Sequence, residues 1–137
     1  MFTRDKPMTE SPAVTVIREV FTALDAGDAD ALLSLCALDI EVVDEVSGHW
    51  LRGMEGVQGY VRHVLLGEAS GRVSFLSDFS ERSCGPEAIL SFWVVRRGVD
   101  DVAAAWTAGP GTAALRARSG HWQLTQLQLP PLLAQVR

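Results

Sequence analysis

Only two cysteines occur in this chain of 137 residues, at positions 36 and 84. Two cysteines so far apart provide neither the disulfide framework of a small secreted domain nor the paired spacing of a zinc site. The three histidines are scattered, with no second histidine four residues away, so the sequence predicts no metal site. Cys36 falls on the apolar stripe of a predicted helix, where we expect a small buried hydrophobic residue.

Basic residues are also scarce. Lys6 is the only lysine, and 17 acidic residues against 12 basic ones give a formal net charge of −5. Binding to a phosphate backbone needs clustered lysine and arginine, so this balance argues against a nucleic-acid partner. Arg96 and Arg97 form the only basic doublet, which we interpret as the solvated end of a hairpin beside Gly98.

The sequence has no apolar run long enough to cross a membrane and no leader-like apolar core near its start. We therefore expect a cytoplasmic protein with no membrane contact. With 47% hydrophobic and 21% charged residues, the composition is typical of a globular domain. The length fits one domain, which we place at residues 11–131, between a flexible arm at 1–10 and a C-terminal tail at 132–137.

The first part of the chain has the spacing of helices. Ser11 and Pro12 form a helix start, with serine as the N-cap and proline at the first helical position. Gly27 ends this helix, and Asp28 can cap a second one. The apolar residues at helical spacing are Val14, Ile17, Phe21 and Leu24 in the first helix and Leu32, Leu35 and Cys36 in the second.

The segment from Ile40 to Val46 changes to the β-branched composition of a strand. After a turn at Ser47-Gly48, residues 49–51 can form a short return strand, and Gly53 precedes a third helix. The apolar face of that helix consists of Val57, Tyr60, Val61, Val64 and Leu65.

Strands dominate the second half of the sequence. We predict strands at 73–82, 88–97 and 121–129, and at 103–108 and 112–118 on either side of a Gly-Pro-Gly bulge or bend. In the first strand, Val73, Phe75, Ser77 and Phe79 alternate with Ser74, Leu76, Asp78 and Ser80. Helices followed by hairpin-joined strands are the α+β pattern, with helices against one face of an antiparallel sheet. A strongly curved sheet could wrap around the third helix and leave a blind hydrophobic pocket.

Asp44 is the acid on which most of the functional prediction depends. It stands in a valine-rich strand, so its carboxylate either faces water or lies in an apolar pocket. Burial in such a pocket raises the pKa of a carboxyl group and makes it a usable base near neutrality. Glu41 and Glu45 alternate to the opposite face of the strand and are interpreted as surface charges.

Two further residues are candidates for acid–base work. Tyr60, the only tyrosine, could offer its hydroxyl to a substrate oxygen, or it could be a core aromatic between helix and sheet. His49 could act at the mouth of the pocket, or it could be an exposed loop histidine. Other chemistries find no support, since there is no G-x-S-x-G turn, no phosphate-binding glycine loop and no cysteine–histidine pair.

Four tryptophans in a small domain can line a cavity for a flat or polycyclic ligand. The expected pocket wall consists of Trp50, Trp106, Trp93, Val61, Phe21 and Gln126. A dimer face is the alternative for Trp93, and exposure on an edge strand is the alternative for Gln126. We expect Trp122 to pack in the core.

Two segments, LDAGDADALLSLCALDIEVVDEVSG and RGMEGVQGYV, resemble the nuclear-transport-factor-2-like superfamily, in particular its SnoaL-like polyketide cyclase and ketosteroid isomerase branch. The closing SGHWQLTQLQL is similar to the final hairpin of these proteins, and the likeness extends from about Val14 to Leu129. The resemblance implies a cone-shaped barrel of curved sheet around three helices, with a hydrophobic cavity, no cofactor, and a homodimer formed through the open sheet face. It also implies that Asp44 is the general base.

The sequence departs from that family's pattern at two positions. Where the resemblance implies a tyrosine and a second acid as hydrogen-bond donors to an enolate, this chain has Val20 and, at or near the second place, Ala113. Loss of one such donor can lower a rate by about two to three orders of magnitude, which argues against a steroid isomerase.

The residues and the resemblance together favour a cofactor-independent cyclase or isomerase that acts on a hydrophobic, polyketide-like or polycyclic carbonyl substrate by proton transfer. In this hypothesis Asp44 is the base, and Tyr60 or an indole N–H is the donor. The alternative is a noncatalytic module of the same fold that binds a small molecule or dimerises. A dehydratase has less support, as does an epoxide hydrolase, because its acid–arginine–acid group would have only Asp44 and Arg52 here.

Overall fold

The computed structural model of the protein describes residues 10–44, 48–65, 72–98, 106–129 and 133–135. For residues 44, 64, 65, 98, 106, 107, 129 and 133–135 it describes the backbone alone. None of the helices in these ranges has the length and apolarity that a membrane crossing requires.

Within the described ranges the chain forms three helices and seven strands. The helices are α1 (Pro12–Ala26), α2 (Ala29–Ser34) and α3 (Gly53–Tyr60), the last followed by a π-helical turn (Val61–Leu65). The strands are β1 (Cys36–Asp44), β2 (His49–Arg52), β3 (Arg72–Cys84), β4 (Glu87–Gly98), β5 (Trp106–Arg118), β6 (His121–Leu129) and β7 (Leu133–Gln135). This is the α+β arrangement that the sequence predicts.

The ends of α1 follow the predicted capping pattern. The Ser11 hydroxyl accepts a hydrogen bond from the Val14 amide, and Pro12 occupies the first helical position. Gly27 ends α1 in the left-handed conformation, with φ of 70°. Asp28 then caps α2 through its carboxylate. Local chemistry therefore fixes both helix boundaries here.

The strands form one sheet in the order β2-β1-β6-β5-β4-β3, with β7 paired to the beginning of β5. Neighbours are antiparallel except for β1 and β6, which run parallel. Register shifts with extra residues in β1, β3 and β6 mark the irregularities that let a sheet curve. Across the strands that the structure describes, the sheet bends around the helices without closing, because β2 and β3 form separate edges. This is the predicted cone.

The core lies on the face of the sheet that the helices cover, which we call the inner face. α1 packs on β3, β4 and β6, whereas α3 packs on β1 and β2. The largest fully buried side chains there are Ile17, Leu24, Ile40, Leu90, Leu115, Leu124, Val20, Val57 and Val61. Burial of one such side chain contributes about 1.5–3 kcal/mol. The two helices are thus fixed to different parts of the sheet.

Cys36 is buried as predicted, but it does not lie in a helix. α2 ends at Ser34, and Cys36 is the first residue of β1, where its Cα pairs with that of Leu124 in β6. Its thiol donates a hydrogen bond to the carbonyl of Leu32 at 3.4 Å. Burial raises the pKa of this thiol to about 12.

A bulge in β3 overturns the predicted alternation of that strand. The pairing with β4 shifts register next to Asp78, which has φ of 56°. Leu76 and Phe79, three residues apart, therefore both pack against the core, whereas Phe75 is exposed on the outer face. The predicted grouping of Phe75 with Phe79 on one face was wrong for this reason.

β5 is one long strand, since residues 109–111 stay paired with β4 throughout. Gly111 lies opposite Phe92, and a Cβ at this glycine would come within 2.6 Å of the Phe92 ring. The glycine therefore makes room for a core aromatic. Residues 133–135, assigned to the tail from the sequence, pair with residues 106–108 as β7.

Candidate functional site

β1, β2 and α3 meet at one corner of the sheet, and this corner holds the predicted catalytic residues. The Cα of His49 pairs with that of Asp44 across β1 and β2, and Asp44 also pairs with Leu129 at the end of β6. α3 then packs back over β1 and β2 and has Tyr60 as its last residue. We call this place the β1–β2–α3 corner.

The rings of Tyr60 and His49 contact each other at this corner. Their centroids lie 6.0 Å apart, with an interplanar angle of 42°. The Tyr60 side chain is buried, with 6% of the residue exposed, whereas His49 is exposed. The pair therefore spans the boundary between the interior and solvent, where a proton could be exchanged. The structure brings these two predicted residues together, and their acid–base roles stay predictions.

Asp44 is the third predicted catalytic residue, and only its backbone is described. Along β1 the burial of side chains alternates, with Ile40 and Val42 buried and Glu41 and Val43 partly exposed. Position 44 comes two residues after Val42 in this series. A pocket-facing carboxylate at Asp44 stays a prediction, and Glu45 and Val46 lie outside the described residues.

Val61 and Phe21, two of the predicted wall residues, are both buried in the interior. Phe21 packs edge-to-face on Phe92, with 5.9 Å between ring centroids, and Phe92 lies 5.6 Å from the ring of Phe79. Such aromatic pairs add about 0.5–1.5 kcal/mol beyond their burial. This phenylalanine cluster makes the interior beside α1 a packed core.

Trp50 and Trp93 lie on the outer face of the sheet, which the helices do not cover. Trp50 is 61% exposed and Trp93 is 42% exposed. Strand alternation explains both positions, because the neighbouring Leu51 and Phe92 are the residues that pack into or against the core. The prediction that these tryptophans wall an internal pocket was therefore wrong. For Trp93, the exposure agrees with the alternative of a dimer face.

Gln126 and Trp106 are the remaining predicted wall residues, and Trp122 is the tryptophan that was expected in the core. Gln126 is exposed on the outer face, next to Glu41 of β1. The exposure agrees with the alternative, but β6 lies between β1 and β5 and is not an edge strand. Trp122 packs against the core, as expected. The backbone of Trp106 pairs with that of Gln135, and its side chain lies outside the described part of the chain.

Three side chains on the outer face join β1 to β2 beside the corner. The Arg52 guanidinium lies 3.8 Å over the ring of Trp50. The Trp50 indole N–H donates a hydrogen bond to the Glu41 carboxylate at 3.3 Å. A cation–π contact at an exposed site is worth about 0.5–1 kcal/mol. We call this group, made of Trp50, Arg52 and Glu41, the outer stack.

A half-buried polar cluster was not predicted from the sequence. The Asp25 carboxylate accepts hydrogen bonds from the amide and hydroxyl of Ser74, both at 2.8 Å, and from Arg96 at 2.7 Å. The Arg96 side chain is 13% exposed and that of Asp25 is 20% exposed. The interpretation of Arg96 as a solvated hairpin end was thus wrong. Its two-residue spacing from buried Val94 was the signal that could have placed it inside.

This cluster, Asp25–Ser74–Arg96, ties the end of α1 to β3 and β4. Since β4 and β1 run in the same direction, the cluster lies at the same end of the sheet as the β1–β2–α3 corner. The Asp25 carboxylate accepts three hydrogen bonds from two other segments of the chain, which is the arrangement of a structural clamp.

A second arginine–carboxylate pair, Asp39–Arg116, lies in a much more exposed setting. Two N–H···O contacts of 2.7 and 3.1 Å join the side chains. The hydrogen bond from Arg116 lowers the pKa of Asp39 below its ordinary value. Across the described ranges, His, Cys, Asp and Glu side chains form no group of three that could hold a metal ion.

Comparison with solved structures identifies the fold. A nuclear-transport-factor-2-like protein of unknown function from Pseudomonas putida KT2440 matches with a TM-score of 0.78 and 18% identity, over 93% of this chain and 95% of its own. A cystatin-like-fold protein of unknown function from Nostoc punctiforme PCC 73102 matches with 0.76 and 18%, over 90% and 89%. A type 2 hexachlorocyclohexane dehydrochlorinase matches with 0.69 and 16%, over 90% and 88%.

The chain therefore has the nuclear-transport-factor-2-like fold, as the resemblance predicts. No protein-family model and no curated protein matches the sequence. Identities as low as those of the solved structures show the fold alone, because this scaffold carries many unrelated activities.

Proposed function

We propose that the protein is a cofactor-independent cyclase or isomerase that moves a proton on a hydrophobic, carbonyl-bearing substrate of polyketide-like or polycyclic type. The contact between the rings of His49 and Tyr60, beside the strand end that carries Asp44, supports this proposal most directly. A carboxylate, a phenol and an imidazole at one corner are the parts of a general acid–base site.

Each residue has a separate task in the proposed mechanism. Asp44 takes a proton from the carbon next to the substrate carbonyl, and the electrons of that C–H bond form an enolate. The Tyr60 hydroxyl donates a hydrogen bond to the enolate oxygen, where negative charge develops. The enolate carbon then attacks a second carbonyl to close a ring, or the enolate is reprotonated at another carbon. His49 supplies the proton for either outcome and takes one back from Asp44.

Tyr60 is proposed as the donor because the places implied by the family resemblance carry none. Val20 and Ala113 are apolar and buried in the core. The Tyr60 hydroxyl belongs to a side chain that is also buried but lies against an exposed imidazole. The fold is compatible with base chemistry, since a dehydrochlorinase shares it and loss of hydrogen chloride requires removal of a proton from the substrate.

Hydrogen exchange on a model ketone tests this proposal without knowledge of the natural substrate. The probe is 2-tetralone, a bicyclic ketone with exchangeable protons beside its carbonyl, incubated with the protein in D₂O and analysed by mass spectrometry. We expect the protein to accelerate deuterium uptake, and Asp44→Asn to lose about 10²–10⁴-fold of that acceleration. Asp39→Asn, the same change on the same strand at an exposed ion pair, is expected to keep it.

Two results would contradict the enzyme proposal. Equal acceleration by the unmodified protein and Asp44→Asn would remove Asp44 as the base. Saturable binding of 2-tetralone without accelerated exchange would instead support the second candidate, a noncatalytic small-molecule-binding or dimerisation module of the same fold.

We also propose that two copies associate through the outer face of the sheet. Large apolar side chains are exposed there on β3 and β4, namely Val73, Phe75 and Trp93. A contiguous exposed apolar patch marks an interaction site, and twofold self-association is the commonest arrangement of soluble oligomers. Sedimentation should give twice the chain mass of 14.8 kDa, and the double change Phe75→Ser with Trp93→Ser should give the monomer. A monomeric unmodified protein would contradict this proposal.

A further inference from the structure

Trp50 is strongly exposed, yet its side chain is held at two points. The Arg52 guanidinium covers its ring at 3.8 Å, and its N–H donates to Glu41 at 3.3 Å. Single exposed hydrophobic residues are common on protein surfaces and need no explanation. An exposed indole whose ring and N–H both contact charged side chains does need an explanation.

The outer stack acts on the pairing of β1 with β2. Glu41 and Arg52 are Cα partners in this ladder, and Trp50 is the partner of Val43. β2 is a four-residue strand at the edge of the sheet, and among the described strands it pairs with β1 alone. The three linked side chains therefore add to the few backbone hydrogen bonds that hold β2 on β1. The same ladder sets His49 opposite Asp44.

The outer stack also acts on the start of α3. Arg52 is both the last residue of β2 and the N-cap of α3, and its side chain makes no capping hydrogen bond. Gly53 follows with φ of 81°, a conformation that lets the chain turn sharply from strand to helix. A guanidinium fixed over the Trp50 ring therefore fixes the point from which α3 departs. The other end of α3 is Tyr60.

We propose that Trp50 is a positioning residue, which holds the His49 and Tyr60 rings in contact by way of Arg52 and Glu41. The inference rests on the proposed function, because that contact matters for proton transfer at the corner. Misplacement of a catalytic group by about 1 Å can cost about 10²-fold in rate. Trp50, on the outer face of the sheet, thus controls the relative position of the His49 and Tyr60 rings at the β1–β2–α3 corner.

NMR of the protein without any ligand tests the positioning directly. In the unmodified protein, NOE cross-peaks should join the ring protons of His49 and Tyr60. Trp50→Ala should abolish these cross-peaks and speed amide exchange in β2 and the first turn of α3 by about tenfold, as local opening becomes easier. Trp50→Phe keeps an aromatic ring for Arg52 and should restore the cross-peaks. Leu38→Ala, which truncates another strongly exposed side chain of the sheet, is the control and should leave them intact.

The outcomes separate this inference from the proposed function. Intact cross-peaks and unchanged β2 exchange in Trp50→Ala would overturn the positioning role. Loss of the cross-peaks in Leu38→Ala would also overturn it, because the effect would then be general. A failure of Trp50→Phe to restore them would show that the ring contact with Arg52 does not hold the two rings together. If the positioning holds but Asp44→Asn leaves 2-tetralone exchange unchanged, the proposed function alone fails. If Trp50→Ala does not fold, Arg52→Lys, which keeps the charge but loses planar stacking, should abolish the same cross-peaks.

Discussion

The two faces of this sheet use aromatic residues in opposite ways. On the inner face, the Phe92 ring packs against Phe79 of β3 and Phe21 of α1 in the core. On the outer face, Trp50 and Trp93 are open to solvent, and one of them is held by charged neighbours. The difference teaches that aromatic content does not by itself indicate a ligand pocket. The position of each residue in its strand decides whether the ring closes the core, joins strands or offers a surface.

The largest expected effect contrasts two adjacent residues of β4. Leu90 is fully buried on the inner face, whereas Ile89 is exposed on the outer face. We expect Leu90→Ala to lower the free energy of unfolding by about 2–5 kcal/mol, because it leaves a cavity. Ile89→Ala should change it by about 0.5 kcal/mol or less, as surface changes do. Urea denaturation measures both, and equal losses would show that the assignment of the two faces is wrong.

The next effect contrasts a half-buried ion pair with an exposed one. Asp25→Ala removes the acceptor of three hydrogen bonds and leaves Arg96 shielded from water. The free energy of unfolding should fall by about 2–3 kcal/mol. Asp39→Ala breaks the exposed pair with Arg116 and should cost about 0–1 kcal/mol. Thermal denaturation compares them, and a loss for Asp39→Ala as large as that for Asp25→Ala would contradict the clamp.

A smaller effect sharpens the description of the inner face at Gly111. Gly111→Ala should destabilise by about 1–2 kcal/mol, because the added methyl group overlaps the Phe92 ring. Phe92→Leu in the same chain should recover part of the loss. Gly56→Ala is the control of opposite sign, since α3 has open space at that position and alanine is the better helix former by about 1 kcal/mol. Equal and small effects at both glycines would refute the close packing.

The smallest effect is a pH dependence at Cys36. The unfolded chain releases the thiol proton near the ordinary pKa of 9.0, whereas the folded state keeps it to about 12. The stability that this group contributes is therefore fully present below pH 9 and falls as pH rises towards 12. At pH 9.5 the loss should be about 0.8 kcal/mol relative to Cys36→Ala, compared as slopes of unfolding free energy against pH.

A labelling experiment accompanies that measurement. Exposed Cys84 should react rapidly with a thiol reagent in the folded protein, while buried Cys36 should react only on unfolding. Reaction of both thiols at the same rate would show that Cys36 is not shielded.

Local chemistry made much of the fold predictable. Ser11, Gly27 and Asp28 are cap residues whose effect depends on the few residues around them, so their roles could be read directly. The corner was also predictable in outline, because His49 follows a turn after Asp44 and Tyr60 lies on the apolar face of α3. These features involve contacts between segments that are close in sequence.

Which side chains of the long strands point to the core was not predictable in the same way. β4 is apolar on both faces, so its sequence does not reveal which of Phe92 and Trp93 meets the helices. In β3, a single residue, Asp78, shifts the alternation, and no local signal announces it. Arg96 finds its carboxylate partner 71 positions away. Each of these outcomes depends on tertiary pairing, which the one-dimensional pattern leaves undetermined.

The most direct test of the central claim, that ligands bind at the β1–β2–α3 corner and not on the outer face, is an NMR titration of the protein with 2-tetralone. We predict amide shift changes at the end of β1, in β2 and along α3 through Tyr60. Shift changes confined to the outer-face residues of β3 and β4, around Phe75 and Trp93, would contradict the account.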